Sequence, residues 1–248
     1  MYVKKTYVIK DWVLTKKYHS GRYGAPGVTR AERKAPTSEA VRKVNQKHRE
    51  ENVQRLILAN FDDQDLHVTV TYKPETRPGS MEEAKKDRST LLDRLRREYR
   101  KLGQELKYIG GTEKGRRGAY HHHILINRIN VDGITTDDLL QRIWRKGHYS
   151  LVRLYTDDDY RGLADYLVKK ETKEEAEGGW SYTRSRNLIV PQPKIEIIHA
   201  RKWAKDPKPP KGYEIVRNSL RNTTNPFTGY PVQEYMMRKI RPKPRGGS

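Results

Sequence analysis

Three consecutive imidazoles stand in the segment Tyr120-His121-His122-His123-Ile124-Leu125-Ile126-Asn127. In an extended chain successive side chains alternate, so His121 and His123 share one face and His122 points away. Two imidazoles at adjacent same-side positions can converge on one metal ion. The preceding segment supplies a carboxylate, Glu113. Directly opposite residues of an antiparallel hairpin share a face, with Cβ atoms about 4.5–5.5 Å apart. A turn centred near Arg117 sets Glu113 opposite His121, and a register shifted by two sets it opposite His123. Either register brings a carboxylate beside both imidazoles, whereas a shift by one residue breaks the arrangement. His122 is expected to pack or hydrogen-bond on the other face.

A second candidate is Tyr166, in the stretch YRGLADYLVKK (160–170). Wound as a helix, this stretch aligns Tyr160, Leu163, Ala164 and Leu167 as its apolar stripe, with Tyr166 on the flank. Lys169 and Lys170 follow at i+3 and i+4, beside it. A phenol titrates near pH 10 and is a poor nucleophile at neutrality. A neighbouring ammonium favours the phenolate or steadies the charge of a phosphate. Other chemistries are excluded by absence. There are no cysteines, hence no thiol nucleophile, disulfide framework or cysteine zinc site. No Gly-x-x-x-x-Gly-Lys loop occurs, which argues against a built-in nucleotide-driven motor.

The partner is suggested by charge. The 248 residues contain 52 Lys+Arg against 31 Asp+Glu, a formal net charge of +21. Such an excess most often serves to neutralise phosphates. The longest purely aliphatic run, Leu56–Ala59, is far short of the ~20 residues that cross a bilayer, and the N-terminal MYVKKTYVIKDW lacks the apolar stretch of a signal peptide. A cytoplasmic protein with a polyanionic partner and no membrane association is the expectation.

Several elements must position these residues. Residues 1–35 read as a strand fragment and an irregular basic arm, followed by a charged helix from Thr37 to about Ala59. Leu66–Tyr72 alternates as a half-buried strand. Ser80 opens a helix with Glu83 as its capping partner; Leu91, Leu95, Tyr99 and Leu102 form its stripe, and Gly103 stops it. Strands near 106–113 and 119–127 flank the basic loop Lys114–Gly118. Thr135 or Thr136 caps another helix that ends at Gly147, and a strand over 148–155 and a helix over 157–172 follow. The order strand, helix, strand, strand, helix, strand is that of the split βαβ, ferredoxin-like arrangement. The expected fold is therefore α+β: an antiparallel sheet with helices on one face, the other face free for a ligand, and N- and C-terminal extensions. The expected division is a basic arm and helix (1–60), a catalytic core (61–175) and a C-terminal extension (176–248). That extension carries a loop over 181–194, a short strand over 195–199, a Pro-stiffened linker (205–213) and a partly disordered tail.

Taken together, the LHVTVTY strand, the Glu upstream of His-x-His and the later Tyr-x-x-Lys resemble the three ordered motifs of HUH endonucleases, the rolling-circle replication initiators of plasmids, phages and integrative elements. The middle position is His122, less apolar than the pattern prefers. Arg184–Leu188 and NPFTGYPVQEY (225–235) resemble the replication-associated branch related to filamentous-phage gene II proteins. This resemblance implies nicking of single-stranded origin DNA through a 5′-phosphotyrosine intermediate, followed by rejoining. His121, His123 and Glu113 would bind the metal, Tyr166 would be the nucleophile, and Lys169 or Lys170 would assist. Mg²⁺ or Mn²⁺ suits the donors and the chemistry, although two His and a Glu also form a catalytic zinc set. Arg116, Arg117, Arg184 and Arg186 are candidate DNA-backbone contacts, and a host helicase and polymerase are expected partners. The rival readings are a zinc-dependent hydrolase and a metal-independent nucleic-acid-binding module.

Overall fold

The structure is a computed structural model that describes residues 1–29, 37–115, 118–155, 159–168 and 181–240. Two antiparallel strands come first, β1 (Tyr2–Ile9) and β2 (Trp12–Tyr18), then helix α1 (Ser38–Asn60) and strand β3 (Leu66–Val70). Helix α2 (Met81–Lys101) begins at Ser80, whose hydroxyl accepts from the Glu83 N–H at 3.2 Å. The Glu83 carboxylate turns back to the Gly79 N–H rather than that of Ser80, so the reciprocal cap closes one residue early. At the other end Gly103 adopts φ +68°, the left-handed conformation that stops a helix.

The hairpin β4 (Tyr108–Lys114) and β5 (Tyr120–Ile126) follows, then the short pair β6 (Asn130–Val131) and β7 (Ile134–Thr135). Helix α3 (Thr136–Ile143) carries a full capping box between Thr135 and Asp138. Strand β8 (Tyr149–Arg153) and helix α4 (Arg161–Leu167) come next. Five more strands follow: β9 (Ser181–Arg184), β10 (Lys194–Ile198), β11 (Tyr213–Ile215), β12 (Arg221–Thr224) and β13 (Pro231–Lys239).

The chain forms two compact units. One spans Gln46–Ile189 and holds the sheet β8-β3-β5-β4-β9. Its first four strands follow the order of a split βαβ unit, every pair antiparallel, and β9 extends the edge beside β4. The ferredoxin-like expectation therefore describes this sheet. Period-two alternation supplies its inner face: Leu66, Val68, Val70, Ile124 and Ile126 pack against Leu91, Leu92, Leu95 and Tyr99 of α2 and Leu139 and Leu140 of α3. The second face is not bare, as expected, but partly covered. Ile109 and Leu125 are fully buried there. Side-chain amides of α1, Gln46 and Gln54, donate to the carbonyls of Val168 and Asp159 that flank α4.

The other unit joins Met1–Asn45 to Val190–Ser248. Its sheet runs β10-β1-β2-β13-β11, with β12 also paired to β13. The described part of the N-terminal arm thus carries the strands β1 and β2, and the Pro-stiffened stretch 205–213 lies between β10 and β11 of the same sheet. This division, which pairs the two ends of the chain, differs from the three-segment reading because strand pairing across some 200 residues leaves no local trace. The C-terminal tail from 241 onward lies outside the described residues.

Candidate active site

The β4–β5 hairpin closes through Gly115 N–H to Ala119 O at 2.7 Å and Gly118 N–H to Gly115 O at 2.8 Å, with Gly118 at φ +77°. This sets the register: Glu113 faces His121, Thr112 faces His122 and Gly111 faces His123. The first of the two anticipated registers is the one adopted. On the other side of β5, Thr69 of β3 lies directly opposite His123.

Four side chains meet on this face. The Tyr166 hydroxyl lies 2.7 Å from Nε2 and 3.1 Å from Nδ1 of His123, so it straddles the ring edge between the two nitrogens. Glu113 Oε2 is 3.6 Å from the same Nε2, and Thr69 Oγ1 is 3.3 Å from Nδ1. Tyr166 is half-buried. Burial first, then the charge and hydrogen bond of Glu113, push its phenol up to about 12.

A further imidazole, His67, belongs to this group although the motif reading passed over it. Its ring centre lies 5.7 Å from that of His123 and 6.1 Å, edge-on, from that of Tyr166. Its Nε2 is buried and has no hydrogen-bond partner among the described residues. Burial lowers its pKa. The signal was present in the alternation of β3, which places His67 on the face of Thr69. Only the β3–β5 pairing shows that this is also the face of His123.

His121 stands opposite Glu113 in the ladder, but its ring is turned to Gly115: a Cβ there would sit 3.0 Å from His121 Nε2. Among the described residues no three His, Asp or Glu side chains converge on one ion position. The donor set nonetheless fits a divalent cation: two imidazoles and a carboxylate on one sheet face, two of them already within 3.6 Å. Arg184 occupies the edge strand directly opposite Ile109, which puts it on the same face as Glu113, and it is exposed. Arg186 is also exposed, just past the strand. Lys169, Lys170, Arg116 and Arg117 lie outside the described residues.

His122 faces the opposite way, fully buried. A row of hydrogen bonds holds it: Arg88 Nη1 donates to Thr112 Oγ1 at 2.7 Å, Thr112 Oγ1 meets His122 Nδ1 at 2.9 Å, and His122 Nε2 meets Tyr72 Oη at 2.6 Å. Burial, then the carboxylate of Asp87 beside it, raise the Tyr72 pKa. Burial, then the Arg88 charge and the neighbouring imidazoles, lower His122 to about 3, so it is a neutral core group.

Residues 65–175 match the family model of the replication-associated ORF2 and phage gene II proteins. The match spans β3 to α4, the elements that carry all the clustered side chains. It supports a replication-initiator role and DNA as the partner. No curated protein and no solved structure matches the chain. Among the described residues, no helix is long and apolar enough to cross a membrane.

Proposed function

We propose that this protein nicks single-stranded DNA at a replication origin through Tyr166, forms a 5′-phosphotyrosine link, and rejoins the strand. The single observation that carries this reading is the Tyr166 hydroxyl 2.7 Å from His123 Nε2, beside Glu113. This contact brings the phenol oxygen of α4 to the imidazole–carboxylate pair.

The Tyr166 oxygen attacks the scissile phosphorus in line with the departing 3′ oxygen. The P–O3′ bond breaks, a P–O(Tyr) bond forms, the phenolic proton is released and the 3′ oxygen leaves as a hydroxyl. Attack by a 3′-OH on the tyrosyl phosphate reverses these changes and reseals the strand, so no external energy is needed. His121, His123 and Glu113 would hold a Mg²⁺ or Mn²⁺ ion, with His121 swinging off Gly115 to join the other two. Bound there, the ion would polarise the phosphate and favour the phenolate. Burial and, after it, the Glu113 carboxylate raise the phenol pKa, and a cation held by Glu113 would offset the second of these. Arg184 and Arg186 would steady the backbone of the strand, and the free 3′-OH would prime a host polymerase behind a host helicase.

The test is an SDS-resistant conjugate between the protein and origin-region single-stranded oligonucleotides, with and without Mn²⁺. A metal-dependent conjugate lost in Tyr166→Phe supports the proposal. Cleavage that survives Tyr166→Phe indicates the zinc-hydrolase reading, and metal-independent binding without a conjugate indicates the binding module.

A further inference from the structure

Positive charge is distributed very unevenly. The unit formed by 1–45 and 190–248 contains 24 basic and 7 acidic residues, a net +17, whereas the unit with the Tyr166 site contains 28 and 24, a net +4. Most of the chain's excess charge therefore belongs to the unit that does not contain Tyr166.

Within the +17 unit, many strand cations are matched. Lys4 and Lys194 share Glu196 at 3.9 and 2.9 Å, Lys16 pairs with Glu234 at 2.5 Å, and Arg238 pairs with Glu214 at 2.8 Å. The loop 199–212, between β10 and β11, is different. Arg201, Lys202, Lys205, Lys208 and Lys211 are all exposed there, and none forms an ion pair among the described residues. Asp206 is the loop's lone acid.

The loop is also pinned. The Trp203 ring stacks on His19, centres 4.9 Å apart, and meets Tyr2 edge-on at 5.0 Å. Gln233, fully buried on β13, donates from Nε2 to the carbonyls of Ala204 at 2.9 Å and Lys205 at 3.0 Å. Its Oε1 accepts from the buried Lys17 ammonium at 3.0 Å. Pro207, Pro209 and Pro210 restrict the remaining backbone. Five like charges held on a fixed backbone repel one another, and Asp206 offsets only one of them.

We propose that loop 199–212 is a docking rail for double-stranded DNA, engaging its sugar-phosphate backbone without reading bases. A duplex offers one phosphate per ~1.7 Å of axis, the densest partner for such a row of cations. Single-strand binders add open aromatic faces on which bases stack; here the loop's aromatic ring is stacked against His19 within the unit. Duplex docking is independent of strand cleavage, because it uses none of the residues around Tyr166.

The test uses the full chain, a random-sequence duplex and the matching single strand, with affinity read by fluorescence anisotropy over a salt series. The variant R201Q/K202Q/K205Q/K208Q/K211Q is compared with K86Q/R94Q/R97Q/R100Q/K101Q, an equal charge change on α2. Each phosphate contact contributes about 0.9 to the salt slope, so the loop variant should lose about 4 in slope and more than tenfold in duplex affinity. The α2 variant should change affinity less than about threefold, and Tyr166→Phe should bind duplex as the unaltered protein does. An unchanged slope in the loop variant, equal losses in the two variants, or an equal loss on single strand and duplex would each overturn the proposal. A failed conjugate assay with the loop effect intact would remove the nicking reading alone.

Discussion

Tyr166 and Glu113 reach the same nitrogen, His123 Nε2, from two elements more than fifty residues apart, the hydroxyl at 2.7 Å and the carboxylate at 3.6 Å. Burial first, and then this carboxylate, raise the pKa of the phenol.

Replacing Glu113 by Gln should lower the Tyr166 pKa from about 12 toward, but not to, its ordinary value near 10, because burial is the larger cause and remains. Ultraviolet titration of the tyrosinate band, as a difference from Tyr166→Phe, measures it. The same variant should bind Mn²⁺ about 10–100-fold more weakly if Glu113 is a ligand or holds one in place. An unmoved tyrosinate titration would mean that the two side chains do not interact.

His122 makes a stability prediction. Its folded pKa, about 3, is below the ordinary 6.5, so the unfolded chain binds the extra proton first. The stability held above pH 6.5 is then lost as pH falls toward 3, on the order of 2 kcal/mol by pH 5 from this group alone. Denaturant unfolding at pH 7 and pH 5 should show this loss, and His122→Gln should remove that share of it. Equal pH dependence in the two proteins would contradict a neutral buried imidazole.

At Gly110 the backbone of β5 leaves no room for a side chain on β4. A Cβ there would lie 2.5 Å from the His123 carbonyl oxygen and 2.9 Å from Ile124 Cα, both backbone atoms that cannot rotate away. Gly110→Ala should cost about 1–3 kcal/mol and displace the strand that carries His123. Thermal unfolding and the conjugate assay together should record a loss in both; a silent substitution would show the strands to be looser than they stand.

His67 has a buried Nε2 with no hydrogen-bond partner among the described residues, and its ring centre lies 5.7 Å from that of His123 and 6.1 Å from that of Tyr166. His67→Phe keeps a ring of similar bulk and removes the nitrogen. Its melting temperature should hold or rise, because no hydrogen bond is lost, while conjugate formation should fall about tenfold, below the usual range for a proton-transferring group because His67 stands beside the reacting atoms rather than on them. Undiminished conjugation would assign His67 to packing alone.

Much of the core was legible in short stretches. The alternation of Leu66–Val70, the caps at Ser80 and Thr135, and the glycines bounding the 114–118 turn act over one to five residues, the range over which backbone hydrogen bonds and side-chain periodicity operate. From them followed the strand-helix order, the shared face of His121 and His123, and Glu113 opposite one or the other of them, a choice that the hairpin register settled for His121. Helix α4 is shorter than its pattern, Arg161–Leu167 among the described residues, but the tyrosine on its flank stands where the periodicity put it.

What tertiary structure alone decided are the meetings between distant segments. His67 joined the site only through the pairing of β3 with β5, and Tyr166 reached His123 across 43 residues. The first and last strands made one sheet, with Lys17 bonded to Gln233 across 216 residues. Composition announced a strongly cationic chain but could not say that two terminal segments, brought together, hold most of that charge. Local propensity encodes which residues share a face; which faces then come together is settled by burial and hydrogen bonding summed over the whole chain, and no window of sequence contains that sum.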